Sequence, residues 1–416
     1  MKQFKIIFIY NDDFLREDFF YSNIPEKRGW QVEHWSLLKL NKGNAAMPMK
    51  RKFYKKFGKR IYICDVKELN ENIKRVSDDY CFFIFYPYHS YNKMIYEIIK
   101  KIKKQNFLFG NITEDVTVGV VNNYRVGSSL VDFITVFLRF MQIIYDILSF
   151  NRNKLRIDFV RFFGVIRYHA DVNFVTSSAA YNFFPNVAEK WFGNNILMHS
   201  GVWEIYQNTS EIETKLLPNS YVVFIDQSLA DLRYVDFDDD AEQYINDPRH
   251  YFSTLANLFN NIEKTFNVEV IVAAHPKSNY MGNEFGKRKV IKGKTPILVK
   301  NAKFVVIHFS TVFSNIIMGK KDFLCIYCDD IYKQKTLKSF YENVSKELHC
   351  MLLNIDRCDE VDNFRKYIKR YENSSYSACE RKYILSNHKD DNNYQFTDFI
   401  VKQVGKIAAE KYNINI

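Results

Sequence analysis

Five short runs in this 416-residue chain carry side chains able to act on a ligand, and each lies at or just after the end of an apolar stretch. Ala273-Ala274-His275-Pro276-Lys277 comes after VEVIVA. An imidazole delivered to a strand end can meet a phosphate or protonate a leaving group, the proline fixes the loop exit, and Lys277 adds charge. His308-Phe309-Ser310-Thr311 comes after FVVI and before a helical pattern starting at Val312. Hydroxyls there cap the helix, and with free N–H groups and the positive dipole end they make a phosphate site. Asn111-Ile112-Thr113-Glu114-Asp115 closes the run FLFGN. Paired carboxylates at a sheet edge raise one another's pKa, which suits a base that removes a hydroxyl proton. Asp226-Gln227 after YVVFI, and Asp12-Asp13 after the first apolar run, compete for acidic roles. Each run also has a plainer reading, as a loop histidine, a helix cap or an acidic helix start.

The elements that must carry these runs read as two α/β series. Phe4–Tyr10, Gln31–Leu38, Arg60–Cys64, Tyr80–Tyr86 and Gln105–Asn111 read as strands, with amphipathic helices such as Tyr91–Lys104 between them. Apolar strands without alternation, separated by helices, imply a parallel sheet covered on both faces. A second series begins at Tyr221. It runs through strands at Val268–Ala273, around Arg288–Ile291, and at Phe304–Ile307, Asp322–Tyr327 and Cys350–Asn354, with helices over 241–266, from Val312, from about Gln334 and over 358–371. Turn signals at Asn208-Thr209-Ser210 and Leu217-Pro218-Asn219-Ser220 mark the boundary. The expected organisation is a first Rossmann-like domain over 1–215, a second over 216–395, and a closing helix in 396–416 that packs back on the first.

Composition supports this reading. Hydrophobic residues make up 47% and aromatics 17%, with 14 Gly and 8 Pro, which suits a globular chain with a large core and excludes a fibrous or disordered one. Seven Cys are scattered without C-x-x-C pairs that could complete a zinc site, Cys325-Ile326-Tyr327-Cys328 being the nearest approach in a strand. They read as reduced structural thiols. The start Met1-Lys2-Gln3-Phe4 shows no secretory pattern, so a cytoplasmic location is expected. Leu130–Phe150 approaches bilayer length but contains Asp132, Arg139 and Asp146. Mid-helix charges oppose spanning, so it reads as a buried helix. A membrane-peripheral face, supported by Arg152, Lys154, Arg156, Arg161 and Arg167, is the alternative. Net charge is +11, which suits a polyanion, an anionic lipid or nucleic acid, or reflects only a compositional bias.

In order, an acidic pair, a His-Pro and a Ser-Thr resemble the motifs of bacterial sialyltransferases and polysialyltransferases of the GT-B type. The resemblance implies two Rossmann-like doubly wound domains facing across a cleft. It makes Glu114 or Asp115 the base on the acceptor hydroxyl, His275 a contact to the sugar-nucleotide phosphate and the acid, and Ser310 and Thr311 further holders of that phosphate. Pro276, Lys277, Asp226 and Gln227 join the expected nucleotide site. The chain departs from the family at Val116, where the family has Gly. The implied co-substrate is a CMP-linked acidic sugar, with no other cofactor and no metal, since CMP leaves with one phosphate. Asp236-Phe237-Asp238-Asp239-Asp240 reads as a solvated helix start rather than a metal site. The implied acceptor is a glycan or lipid-linked glycan of the capsule or lipooligosaccharide.

A UDP-sugar, GDP-sugar or CDP-glycerol enzyme, and a non-catalytic nucleotide or glycan binder, are the alternatives. Nucleic acid is not an expected partner, because no RRM signature, zinc-finger spacing or compact basic helix is present.

Overall fold

An apolar run with no alternation is stable only where both faces of its sheet are covered, and the two series form such sheets. The computed structural model describes residues 3–10, 28–37, 40, 58–85, 93–113, 118, 141, 169–182, 193–207, 217–218, 220–230, 244–276, 278, 280, 283–357, 363–386 and 396–415. The expected segment 130–150, the Asp12-Asp13 pair and the run 236–240 lie outside them, Met141 apart. Two compact units emerge: one comprises Met1–Asp115, Val126–Gly201 and Leu385–Ile416, and the other is chiefly Val202–Ile384.

Among the described residues the first unit holds seven parallel strands, β1 (Phe4–Tyr10), β2 (Gln31–Ser36), β3 (Lys59–Tyr62), β4 (Tyr80–Phe85), β5 (Leu108–Ile112), β6 (Val172–Val175) and β7 (Asn195–Leu197). Their order is β3-β2-β1-β4-β5-β6-β7. Helix Lys93–Lys104 ends where Asn106 turns left-handed at φ 58°, a conformation Asn tolerates, so β5 starts at Leu108 rather than Gln105. Strands β6 and β7 were not expected. Each carries a buried or half-buried Asn, and Asn111 Nδ2 donates to Asn173 Oδ1 at 2.9 Å while Asn173 Nδ2 donates to Asn195 Oδ1 at 3.0 Å. This amide ladder satisfies polar groups that would otherwise bar such short segments from a sheet.

The closing helix Phe396–Tyr412 lays Ile400, Val401, Val404 and Ala408 on the same apolar cluster as Phe4, Phe8, Trp30, Phe82 and Phe174. Its Tyr412 hydroxyl donates to Cys81 O at 2.8 Å and accepts from Leu108 N at 3.2 Å. On another side of the sheet, Arg75 ends helix Val66–Arg75 and grips Glu33 of β2 through Nη1 at 2.9 Å and Nη2 at 2.6 Å. Burial raises the Glu33 pKa, but the bonds from Arg75 and Trp35 outweigh it and hold the carboxyl below its ordinary value. Glu33 is 4% exposed and the Arg75 side chain 35%. Arg75→Ala is therefore expected to cost about 2–3 kcal/mol, under the full value for a buried pair because one partner is partly screened. Urea unfolding checks this, and a midpoint unchanged from the parent protein would contradict it.

The second unit holds β8 (Tyr221–Ile225), β9 (Glu269–Ala274), β10 (Val290–Lys292), β11 (Val305–Ile307), β12 (Phe323–Tyr327) and β13 (Leu352–Asn354). All pair parallel in the order β10-β9-β8-β11-β12-β13. Counted from its own first strand, each sheet begins 3-2-1-4-5-6, the doubly wound Rossmann order. Both expected parallel α/β sheets are thus present.

Helix Pro248–Phe266 starts later than the pattern over 241–266 implies. Asp247 caps it by accepting from Arg249 N at 3.0 Å and His250 N at 3.1 Å, and Pro248 occupies the first turn. Its buried face is Tyr251, Leu255, Leu258, Phe259 and Ile262, a helical period. The helix expected over 358–371 does not form over the described part of that segment. Phe364–Tyr367 is a short 3-10 turn, and Lys369 instead pairs antiparallel with Phe323, its N–H donating to Phe323 O at 2.7 Å. A backbone pair at the start of β12 overrides the apolar spacing, and the helix comes later, at Asn373–Tyr383. Of the thiols, Cys325, Cys328, Cys350 and Cys379 are buried and unpaired, and burial pushes Cys328 up to about 12, which keeps it protonated.

Candidate functional site

In a doubly wound sheet the polypeptide leaves neighbouring strands in opposite directions at one point, and the carboxyl ends of those two strands border a crevice. In the second unit that point lies between β8 and β11. The residues that follow are Asp226, Gln227 and Ser228 on one side and His308 to Thr311 on the other, so the topology brings two of the expected runs together. Gln227 spans them. Its Nε2 donates to Asp226 O at 3.2 Å and to Ser310 Oγ at 3.0 Å. A carbonyl oxygen only accepts, which fixes the amide orientation and makes Ser310 Oγ the acceptor of the second bond.

Ser310 Oγ also accepts from Val312 N at 3.2 Å. Both lone pairs of the hydroxyl are then filled, and its proton is what it has left to offer. Ser310 is 8% exposed and Thr311 beside it is exposed. Ser310 thus closes a turn on Val312, the N-cap residue of helix Phe313–Met318, and the expected hydroxyl cap on the first turn of that helix does not form, because Val312 takes the cap position.

His308 has another task. It is fully buried, with Nδ1 3.0 Å from Ile326 O and Nε2 2.9 Å from the Tyr251 hydroxyl. The carbonyl accepts, so Nδ1 carries the proton and Nε2 accepts from Tyr251. Burial drives its pKa down to about 3. His308 is therefore a neutral strut joining β11, β12 and helix Pro248–Phe266. The unfolded chain takes up a proton near pH 6.5 that the native state refuses until about pH 3, so stability falls as pH drops through that window. The expected loss is about 1.4 kcal/mol per pH unit below 6. Unfolding free energies at pH 7, 6 and 5 check it, and His308→Gln should show a slope smaller by one proton; equal slopes would contradict the assignment.

His275 leaves the end of β9, next to β8. Its N–H donates to Asp226 Oδ2 at 3.1 Å, and its carbonyl accepts from Ser278 N at 3.0 Å and Ser278 Oγ at 2.8 Å. Asp226 Oδ1 accepts from Ser228 N at 2.9 Å and the Tyr280 hydroxyl at 2.8 Å. On the opposite flank, Lys292 at the end of β10 donates to Ser278 O. Asp226 is 4% exposed, so its carboxylate serves as the anchor of two loops. Pro276 is exposed and His275 half-buried. Lys277 lies outside the described residues. Ser278, Tyr280 and Lys292 were not singled out in the sequence, since their part consists only of contacts made after folding.

In the first unit, Thr113 follows β5. Its Oγ1 accepts from Thr176 N at 3.0 Å and lies 3.2 Å from Thr176 Oγ1, so the chain is held where it enters Glu114-Asp115. Both carboxylates lie outside the described residues. Among the described residues no cluster of three metal-ligating side chains occurs, and no helix is long and apolar enough to cross a membrane.

Two sheets of Rossmann order with this strand arrangement define a GT-B fold. The wall teichoic acid polymerase TagF shares it with a TM-score of 0.53 at 11% identity, over 98% of this chain and 90% of that one. A form of TagF soaked with CDPG matches equally well, at 0.53 and 11%. The UDP-GlcNAc 2-epimerase of Methanocaldococcus jannaschii aligns over 97% of this chain and 99% of that chain, at a TM-score of 0.46 and 10% identity. No family model matches the chain, and no curated protein matches it in sequence.

Proposed function

We propose that this protein is a metal-independent, inverting glycosyltransferase that moves an acidic sugar from a CMP-linked carrier to a bacterial surface glycan. The observation that carries the reading is Ser310. A hydroxyl whose lone pairs are both filled by Gln227 and Val312 offers only its proton, and a phosphate oxygen is the partner that accepts it. It stands at the β8/β11 switch point, with the His275 loop one strand away. GT-B architecture, shared with TagF, supports a transferase.

In this reading the acceptor hydroxyl loses its proton to Asp115 or Glu114, and its oxygen attacks the anomeric carbon. The bond from that carbon to the phosphate oxygen breaks, and CMP departs with the electron pair. Ser310 and His275 offset the charge gathering on the phosphate, and His275 can supply the proton. Thr311, Pro276 and Lys277 complete the phosphate side, while Gln227 and Asp226 set its shape. Asp115→Ala is expected to abolish transfer with the melting temperature unchanged; full activity would remove Asp115 from the mechanism.

The sugar is sialic acid, another nonulosonate or Kdo, and the acceptor is capsule or lipooligosaccharide. The protein works in the cytoplasm, at the inner face of the membrane where lipid-linked acceptors lie. A second reading, in which CDP-glycerol is the carrier, is favoured by the fit to TagF, one form of which was soaked with CDPG. Incubation with CMP-N-acetylneuraminate, CMP-Kdo and CDP-glycerol in the presence of lipooligosaccharide separates them. With each donor supplied alone, CMP release from a CMP-sugar with a mass gain of one sugar residue on the glycan supports the first, and CMP release only from CDP-glycerol with a gain of glycerol phosphate supports the second.

A further inference from the structure

Ser228 is the residue at the switch point that the folded chain leaves unexplained. It follows Gln227 directly, is 1% exposed, and its Oγ has no hydrogen-bond partner among the described residues. Its backbone is left-handed, at φ 57°, a region that costs an ordinary L-residue energy and that Gly enters freely. The strain is held in place by Asp226, whose Oδ1 accepts the Ser228 N–H at 2.9 Å. Two unfavourable features therefore coincide at one residue: a strained backbone and a buried hydroxyl with nothing to bond. Gly would remove both. Alanine would remove the second. A chain selected for stability alone has no use for Ser here, whereas strain and unmet polar groups gather where a ligand is to be held.

We infer that Ser228 is a further ligand-binding residue, whose hydroxyl donates to the phosphate of a nucleotide seated at the ends of β8 and β11. The inference rests on the proposal that this edge receives a phosphate. Ser228 is the immediate chain neighbour of Gln227, whose amide holds Ser310, so it leaves the same strand end from which that amide reaches across the switch point. A tetrahedral oxyanion has several oxygens and accepts from more than one donor at once. Ser228 needs no local partner for this role, unlike Ser310, which also caps the turn that follows it.

The test compares Ser228→Ala and Ser228→Gly with the parent protein in two readouts, the melting temperature without ligand and the affinities for CMP and cytidine by calorimetry. A hydroxyl with no partner contributes nothing to the free protein, so Ser228→Ala should melt at or above the parent temperature and Ser228→Gly higher still. CMP binding should weaken about tenfold in both, the scale of one charge-assisted hydrogen bond, with cytidine binding unchanged. A Ser228→Ala melting temperature several degrees below the parent would show that the hydroxyl serves the fold, for instance through a buried water, and would overturn the inference. So would CMP affinity equal to that of a parent protein that prefers CMP to cytidine. If the parent itself binds CMP no better than cytidine, the phosphate reading of the edge fails, and this inference falls with it.

Discussion

His275→Ala is expected to lower sugar transfer by about 10²–10⁴-fold, the usual contribution of a positioned acid or hydrogen-bonding imidazole, while the protein folds as before. The second half of that expectation follows from how the loop is held. The bonds that fix it, His275 N to Asp226 and Ser278 N and Oγ to His275 O, use the backbone of residue 275. Alanine keeps all of them. The substitution thus removes the imidazole while leaving these three bonds in place. Transfer assays alongside melting curves check both parts. Activity within about threefold of the parent would be too small a change for a general acid and would return His275 to the role of an ordinary loop residue.

Asp226→Ala is expected to do the reverse, lowering stability first and activity as a consequence. One buried carboxylate accepts from Ser228 N, His275 N and the Tyr280 hydroxyl. Its removal leaves those donors facing a cavity at a position 4% exposed. Each unsatisfied donor costs about 1–3 kcal/mol, and relaxation makes the sum less than additive, so about 3–5 kcal/mol is expected. That is a large part of the 5–15 kcal/mol typical of a folded domain. Asp226→Asn keeps one acceptor oxygen and should fall between the two. Unfolding in urea measures this, and a loss below about 1 kcal/mol would be inconsistent with three bonds meeting at one carboxylate.

Both variants bear on how much of this site can be read before the structure is known. The strands FKIIFIY, YCFFIF and YVVFI are legible because Lys5 is the one charge within them, and a central parallel strand is the stable home for such a run. Connectivity alone leaves their order open, since the same alternation also folds as 2-1-3-4-5, and it is the observed order that brings Asp226-Gln227 opposite Ser310. By contrast, VNFV and NIL were invisible because Asn173 and Asn195 argue against a strand until the amide ladder that satisfies them is seen. The segment after Cys358 carries helical spacing, yet Lys369 is claimed by Phe323 across the sheet. His308 lay in plain view inside a motif and proves to be a neutral strut, which only its burial and its two partners reveal. Ser278, Tyr280 and Lys292 are ordinary loop and edge residues in sequence, and their importance lies wholly in what they touch.

The central claim, that the carboxyl edge of the second sheet receives the phosphate of CMP, is tested most directly by thermal shift with CMP, CDP, UDP, GDP and dTDP, each with and without Mg²⁺. A ligand that binds only the native state raises the melting temperature by mass action, by about 2.7 kcal/mol of added stability at a hundredfold excess over its dissociation constant. CMP should stabilise the protein, equally in the presence and absence of Mg²⁺. Stabilisation by a nucleoside diphosphate but not by CMP would contradict the CMP assignment, and no shift with any nucleotide would contradict a nucleotide site at this edge.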